Sequence, residues 1–335
     1  MTTATKTIGT HNGKFHADEA LACHLLTILF PDAVVTRTRD PAILTDMDIV
    51  VDVGGVYDAA SHRYDHHQRE FTDTFDSKNF DKIRLSSAGL VYRHFGRQIL
   101  KEKYQNLSDA EVDIFYEKVY KSFIMPLDAI DNGIDPFPAE CGEPLYRDGT
   151  GLASRIDRLN PDWNDHVTDP DLQFQKAMDM AGLEFTEQCA QIVNSWFPAR
   201  SIVEKAFKAR WEVDKSGKII VLETFAPWKS HIYSLEQEEA GSTEDHSIAL
   251  THQPCYVLYP DSGKSWRIQA VPINENSFQN RAPLPAPWRG LRDAELCTLT
   301  GIENCVFVHA SGFIGGNKTK EGVIKMAKLA LQLLK

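Results

Sequence analysis

Asp48-Ile49-Val50-Val51-Asp52-Val53-Gly54-Gly55 is a β-branched run that stops at two glycines, and its reading decides the fold. It is nearly continuous in apolar character up to its aspartate, the pattern of a strand buried on both faces of a parallel sheet. Two earlier stretches share the character, Thr7-Ile8-Gly9-Thr10-His11 and Val34-Val35-Thr36-Arg37-Thr38. Between those two, Asp18 to Phe30 carries Ala20, Leu21, Leu25, Ile28 and Leu29 at helical spacing. Strand, loop, helix, strand is the expected order. In such sheets ligands collect beyond the carboxyl ends of the strands. His11 ends the first strand and Asp52 falls near the end of the third, so both should face one crevice, where the loop bearing Asp65-His66-His67-Gln68 joins them.

Composition bounds the function. A chain of 335 residues, 42% hydrophobic and 25% charged, is ordinary soluble globular material with room for two domains. Its 36 Lys and Arg stand against 47 Asp and Glu, a net charge of −11, which argues against a broad surface that coats nucleic acid. Cys23, Cys141, Cys189, Cys255, Cys297 and Cys305 form no Cys-x-x-Cys pair, which fits a reduced compartment and buried, small apolar side chains. No apolar run approaches the roughly 20 residues of a membrane span, and Met1 to Lys6 does not resemble a secretory signal. The expected location is cytosol, nucleus or both, with an uncleaved mitochondrial address as the alternative. Nothing in the sequence sets an oligomeric state.

Farther along, Leu85 to Lys101 reads as an amphipathic helix capped by Ser86 or Ser87, and Ser108 to about Met125 as another with a Ser108/Glu111 capping box. The latter delivers Asp128 and Asp131, three apart and on one side of a helix end. The stretch 136–170 is rich in Gly, Pro, Asp and Asn and reads as irregular; 172–209 is helical with a break at Pro198. Strands are expected at 219–222, 255–259, 266–271 and 305–308, an exposed acidic loop at Glu236 to Asp245, and a closing helix from Lys320 to Leu334.

His11, His16, Asp18, Asp52, His66 and Asp128 or Asp131 form an imidazole and carboxylate set without thiolates. Such donors suit manganese, iron(II), cobalt or magnesium better than structural zinc, and six exceed what one tetrahedral ion uses. A pair of ions bridged by a carboxylate, with Asp52 the first choice, would use them all and would suit phosphoryl chemistry. His67 could protonate a leaving group, and Asp65 could bind metal or orient an imidazole. Taken singly, a His-His pair on a loop is more often merely exposed; its company within one α/β unit favours a site. His24, His62 and His94 lack that company and read as packing or surface residues.

Asp65-His66-His67 after a strand-borne Asp52 and a His-x-Asp loop resembles the DHH phosphoesterase superfamily. The usual first motif there is His-x-x-x-Asp-x-Asp; here His11-x-x-x-x-His16-x-Asp18 has one extra residue and a histidine for the first aspartate. Thr10 to Glu19, Arg63 to Gln68 and Pro285-x-Pro287-Trp288-Arg289-Gly290-Leu291-Arg292-Asp293 together resemble the melanocyte proliferating gene family within that superfamily, over nearly the whole chain. The resemblance implies a DHH-type metal-binding catalytic domain with a parallel sheet over 1–170, a helical connector over 171–210, a smaller α/β substrate-binding domain over 211–335, and an active site in the cleft between the domains. It implies a divalent-metal phosphodiesterase, a 3′ to 5′ exonuclease on single-stranded or short RNA, with manganese favoured over magnesium and one or two ions bound. By motif correspondence His11, His16, Asp18, Asp52, His66 and Asp128 or Asp131, the last fitting better, are ligands; His66, His67 and Asp65 are catalytic.

In the second domain Ser311 to Thr319 resembles the superfamily's substrate-binding turn, with Gly315 and Gly316 offering backbone N–H groups and Lys318 a charge. Arg267, Arg289 and Arg292 could add phosphate contacts, and Trp266, Trp288 or Phe313 could stack a base. Two other readings stay open: hydrolysis of a small phosphoanhydride or dinucleotide, and a metal-binding regulatory protein without turnover.

Overall fold

Pairing of the first strands is parallel, as their composition suggests. The computed structural model describes residues 5–142, 146, 148–242 and 252–334, and the chain divides into two compact units, 1–192 and 193–335. In the first, β1 (Thr7–Thr10), β2 (Val34–Arg37), β3 (Ile49–Val51), β4 (Tyr57–Asp58) and β5 (Arg63–Tyr64) form a sheet of order β2-β1-β3-β5-β4. All neighbours are parallel except β4, which runs antiparallel to β5. The central β3 is buried along its length, whereas β2 lies at the edge with Val34 exposed, so its β-branched run reflects strand propensity rather than two covered faces. A hairpin of β6 (Thr74–Asp76) and β7 (Phe80–Arg84) follows.

The helices of this unit are α1 (Ala17–Leu29), α2 (Pro41–Thr45), α3 (Ser87–Lys103), α4 (Asp109–Val119), α5 (Met125–Asp131), α6 (Leu152–Asp157) and α7 (Pro170–Gln191). Helix α1 packs on α3 and α7, and the α7 contact is close enough that a Cβ on Gly182 would fall 2.0 Å from the His24 ring. His24 is thus a packing residue, and burial pushes its pKa down. A π-helical turn, Tyr120–Ile124, precedes α5, and another, Ile192–Trp196, precedes Phe197–Lys208. Each lies just ahead of a proline, Pro126 and Pro198, whose ring lacks an N–H and crowds the preceding turn. The irregular reading of 136–170 needs one correction: α6 folds within it and contributes to the site described below.

The second unit holds α8 (Phe197–Lys208), α9 (Arg210–Val213), β8 (Ile219–Val221), α10 (Lys229–Ser242), β9 (Tyr256–Pro260), β10 (Trp266–Ala270), α11 (Asp293–Thr300), β11 (Cys305–Val308), β12 (Ile314–Asn317) and α12 (Lys320–Leu333). Its sheet runs β11-β12-β10-β9-β8, with only β8 and β9 parallel. Alternate side chains serve two cores. Ile219, Tyr256, Leu258 and Ile268 pack with Val323 and Met326, while Ile220, Val257 and Tyr259 pack with Val203, Phe207 and Ile232.

Two expectations for this unit are overturned. The acidic stretch from Glu236 is helical through Ser242, because arginines from three other places neutralise it: Glu236 pairs with Arg281 (2.5 Å), Glu238 with Arg200 (2.6 Å) and Glu239 with the buried Arg210 (2.6 Å); residues 243–245 of that expected loop lie outside the described residues. Gly315 and Gly316 do not form a turn. They sit in β12, laddered on both sides, so their amides belong to the sheet, and a Cβ on Gly316 would fall 2.6 Å from Arg267 Nη1.

Candidate functional site

The carboxyl ends of β1, β3 and β5 converge on a cavity of about 780 Å³ in the first unit, lined among others by His11, His16, Asp18, Asp52, Asp65, His67 and Asp131. Asp52 follows β3 with φ 55°, in the left-handed region, and Gly54 and Gly55 follow it at φ 96° and 67°. Those backbone angles turn the chain sharply off the strand end, and Asp52, Val53, Gly54 and Gly55 all line the cavity.

Asp52 stands between the two buried histidines. Its Oδ2 lies 3.3 Å from His11 Nε2 and its Oδ1 3.5 Å from His66 Nε2, while Ser87 Oγ donates to Oδ1 at 3.2 Å. His66 Nε2 also approaches Asp131 Oδ2 (3.1 Å), and His11 Nε2 approaches Glu19 Oε1 (3.0 Å). Burial pushes the pKa of each histidine down, but Asp52 and Glu19 at His11, and Asp131 and Asp52 at His66, overcome it and lift both to about 10. The same histidines hold Asp52 below the ordinary carboxylate range despite its burial.

Asp18, in the first turn of α1, points at the N-terminus of α3. Its Oδ1 accepts from Ser86 Oγ (2.5 Å) and Ala88 N (2.6 Å), and its Oδ2 from Ser87 N (3.0 Å). Burial, then the charges of Asp131 and Asp52, push its pKa up. Asp65 follows β5; its Oδ1 accepts from His67 Nδ1 (2.7 Å) and its Oδ2 from Gly55 N (2.6 Å). His67, with its side chain 61% exposed, is therefore aimed at the cavity by Asp65, whose bond raises its pKa. His16 is half exposed, its ring 6.0 Å from that of His11.

The two α5 aspartates part company. Asp131 faces the cavity beside His66. Asp128 points the other way and is fully buried: its Oδ1 accepts from Ser86 N (3.0 Å) and Ser86 Oγ (2.7 Å), and it lies against Gly89. Ser86 Oγ carries one hydrogen yet reaches carboxylate oxygens of both Asp18 and Asp128, so one of these acids must be protonated for both contacts to form. Burial lifts Asp128 from 3.8 to about 7. Because the folded value exceeds the unfolded one, the stability it contributes is fully present below pH 3.8 and is lost as pH rises through about 7. Asp128→Asn, which cannot ionise, is expected to flatten the fall in melting temperature between those limits, measured by thermal denaturation across pH.

Glu19, Ser86 and Ser87 are parts of the site that the sequence reading did not assign to it. Glu19 is fully buried; its Oε1 accepts from His16 N (2.8 Å), the fold-back of a capping box, and this spacing was the available signal. It brings a carboxylate beside His16, where the resembled motif has an aspartate.

Whether a divalent cation fits can be judged from unmet polar atoms. Among the described residues three triplets, His11/His16/Glu19, Asp52/His66/His67 and Asp18/His66/Asp131, the last two sharing His66, each bring donor atoms within 4.8 Å of one another. Glu19 Oε2 is buried without an aligned hydrogen-bond partner, which costs free energy unless a cation takes up its lone pairs, and once deprotonated His66 Nε2 offers a lone pair to the same cation. Four carboxylates around two histidines leave a net negative nest. The residues fit a divalent metal.

The family model described as Uncharacterised protein family (UPF0160), which carries the name MYG1, matches residues 7–331. The chain belongs to the MYG1 family. Among its MYG1 relatives, the MYG1 exonuclease of Mus musculus is 49% identical over 331 residues, covering 97% of this chain and 84% of that protein. The MYG1 exonuclease of Homo sapiens is likewise 49% identical, with 97% and 85% covered, and the MYG1 protein of Dictyostelium discoideum is 45% identical, with 96% and 95% covered. A solved exopolyphosphatase-related protein from Bacteroides fragilis aligns over 98% of the chain at 12% identity, but its TM-score of 0.22 is too low to carry an argument.

The remaining expected residues lie in the second unit. Arg267 is paired with Asp261 (2.5 Å), and the guanidinium groups of Arg267 and Arg292 lie over the Phe307 ring at 5.2 and 5.7 Å. Arg289 Nε donates to Leu284 O (2.9 Å), and Lys318 is exposed. Trp288 is a core residue, 2% exposed, so it cannot stack a base; Phe313 is partly exposed against His309.

Proposed function

We propose that this MYG1-family chain is a divalent-metal-dependent phosphodiesterase, a 3′ to 5′ exonuclease on single-stranded or short RNA. The observation that carries the reading is the nest of buried Asp18, Glu19 and Asp52 and half-buried Asp131 around His11 and His66, with Glu19 Oε2 lacking an aligned hydrogen-bond partner beside a cavity. The names of the mouse and human relatives support it.

His11, Glu19, Asp18, Asp52, His66 and Asp131 would hold one or two ions, manganese before magnesium, with His16 at the open side. A bound metal would supply activation of water and neutralise charge on the phosphate. Asp65 holds His67 Nδ1–H and raises the His67 pKa, so that the protonated ring can give its Nε2 proton to the departing oxygen and is left as the neutral Nδ1–H tautomer. Gly54 and Gly55 let a phosphate approach the backbone, and Arg39 and Arg158 on the cavity wall offset its charge. In the second unit, Arg267, Arg289, Arg292 and Lys318 are proposed to meet further phosphates, on the strength of the resemblance. Asp128 is assigned to support Ser86 rather than to bind metal.

Metal and protons compete for the same nitrogens. Against burial, Asp52 and Glu19 lift the pKa of His11, and Asp131 and Asp52 that of His66, to about 10, so a cation that takes these nitrogens must release their protons and apparent affinity rises with pH. Titrating manganese from pH 6 to 9 is expected to give a log-affinity slope between about one and two per pH unit. The activity is tested on 5′-labelled single-stranded RNA with manganese, beside a dinucleotide and pyrophosphate. A ladder shortening from the 3′ end is the expected result. Turnover of the small substrates alone would favour phosphoanhydride or dinucleotide hydrolysis, and tight metal without any turnover a regulatory role.

A further inference from the structure

Beside the metal nest lies a second cavity of about 1080 Å³, whose lining includes Asn12, Gly13, Lys14 and, across from them, Asn160 and Trp163. Asp157 and Arg158 line both cavities, and the loop from His11 to His16 borders both. Its wall is braced. Asn160 Oδ1 accepts from Phe15 N (2.8 Å) while Asn160 Nδ2 donates to Phe15 O (2.9 Å), a two-way amide clamp between segments 145 residues apart. Beneath it the Phe15 ring is fully buried, and Arg37 lies over Phe15 and Phe174 while donating to Gly13 O.

On this braced wall Trp163 is 92% exposed. Packing explains none of that exposure, and an indole facing a cavity beside a phosphodiester site presents a stacking surface. Lys14 is 62% exposed and 2.8 Å from Asp157, and Arg158 Nη1 is anchored by Gly149 O at 2.7 Å, which sets both cations at the border of the two cavities. Asp157, Asp162 and Asp171 also line the second cavity, with Asp171 paired to Arg37, so its charge is balanced rather than basic.

We infer that this second cavity takes the nucleotide next to the scissile phosphate, its base stacked on the Trp163 indole and its phosphate beside Lys14 and Arg158. The inference rests on the phosphodiesterase reading. Every base offers a π-face, so stacking gives grip without base preference. Balanced charge implies that the grip weakens little with salt, in keeping with a chain of net charge −11.

The test compares full-length wild type, Trp163→Ala and Trp163→Phe, with manganese, on a single-stranded hexaadenylate and on bis(p-nitrophenyl) phosphate, which is too short to reach the second cavity. Trp163→Ala is expected to raise KM for the hexamer by about 10-fold or more, with Trp163→Phe recovering most of it and no matching loss on the small diester. An unchanged hexamer KM, or equal loss on both substrates, overturns the inference. Should wild type cleave neither substrate, the phosphodiesterase reading fails, and tryptophan fluorescence then decides the subsite by itself. Hexamer quenching that weakens in Trp163→Ala keeps it, and no quenching removes it.

Discussion

An Asp52→Asn variant is expected to fold and to lose manganese affinity by more than about 100-fold, since even residues that only support a metal ligand cost up to that much. The substitution separates charge from backbone. Asp52 sits at φ 55°, in the left-handed region that asparagine and aspartate both tolerate. The strand end is kept, so the loss falls on the carboxylate, which lies 3.3 Å from His11 Nε2 and 3.5 Å from His66 Nε2. Without it both histidines release their protons at lower pH, which ring-proton NMR titration would register. Calorimetric titration of manganese measures the main effect, and an affinity equal to wild type would remove Asp52 from the centre of the site.

Gly89→Ala carries the second large effect, although it touches none of the residues proposed to hold the metal. A Cβ there would fall 2.3 Å from Asp128 Oδ1 and 2.6 Å from Oδ2, where the carboxylate is fully buried and has no room to retreat. Overpacking of this kind costs about 1–3 kcal/mol, and displacing Asp128 also strips Ser86 of the partner that steadies it against Asp18. Lower stability and weaker metal binding are expected together. In a double-mutant cycle, Gly89→Ala should add little to Asp128→Ala, because the clashing atoms are gone, giving a coupling of at least about 1 kcal/mol. Additive losses would show that the alanine acts through the α3 backbone instead.

The parallel order of β1, β2 and β3 was legible because β-branched runs separated by helical periodicity leave few other arrangements, and the rule that ligands gather at strand carboxyl ends then brought His11, Asp52 and the Asp65 to His67 loop together. Other parts were not legible because their reasons lie far away in the chain. Ser86 read as a helix cap, and it is one, but its bonds to Asp18 and Asp128 span 68 and 42 residues. The resemblance of Ser311 to Thr319 to a substrate-binding turn does not carry over to Gly315 and Gly316, because their place in β12 is imposed by the strands on either side. Glu236 to Ser242 read as a loop because a run of like charge repels itself until Arg200, Arg210 and Arg281 meet it.

By itself, then, the sequence determined the family and the parallel α/β character of the first unit and offered the imidazoles and most of the carboxylates as candidates, since these rest on local composition and motif spacing. Only the tertiary structure decided that Asp131 faces the cavity while Asp128 is buried behind Ser86, and that Glu19 folds back beside His11. A one-dimensional pattern specifies which atoms could bind. Which of them share a few ångströms, and which carboxylate must stay neutral between others, is settled by packing and desolvation across distant segments.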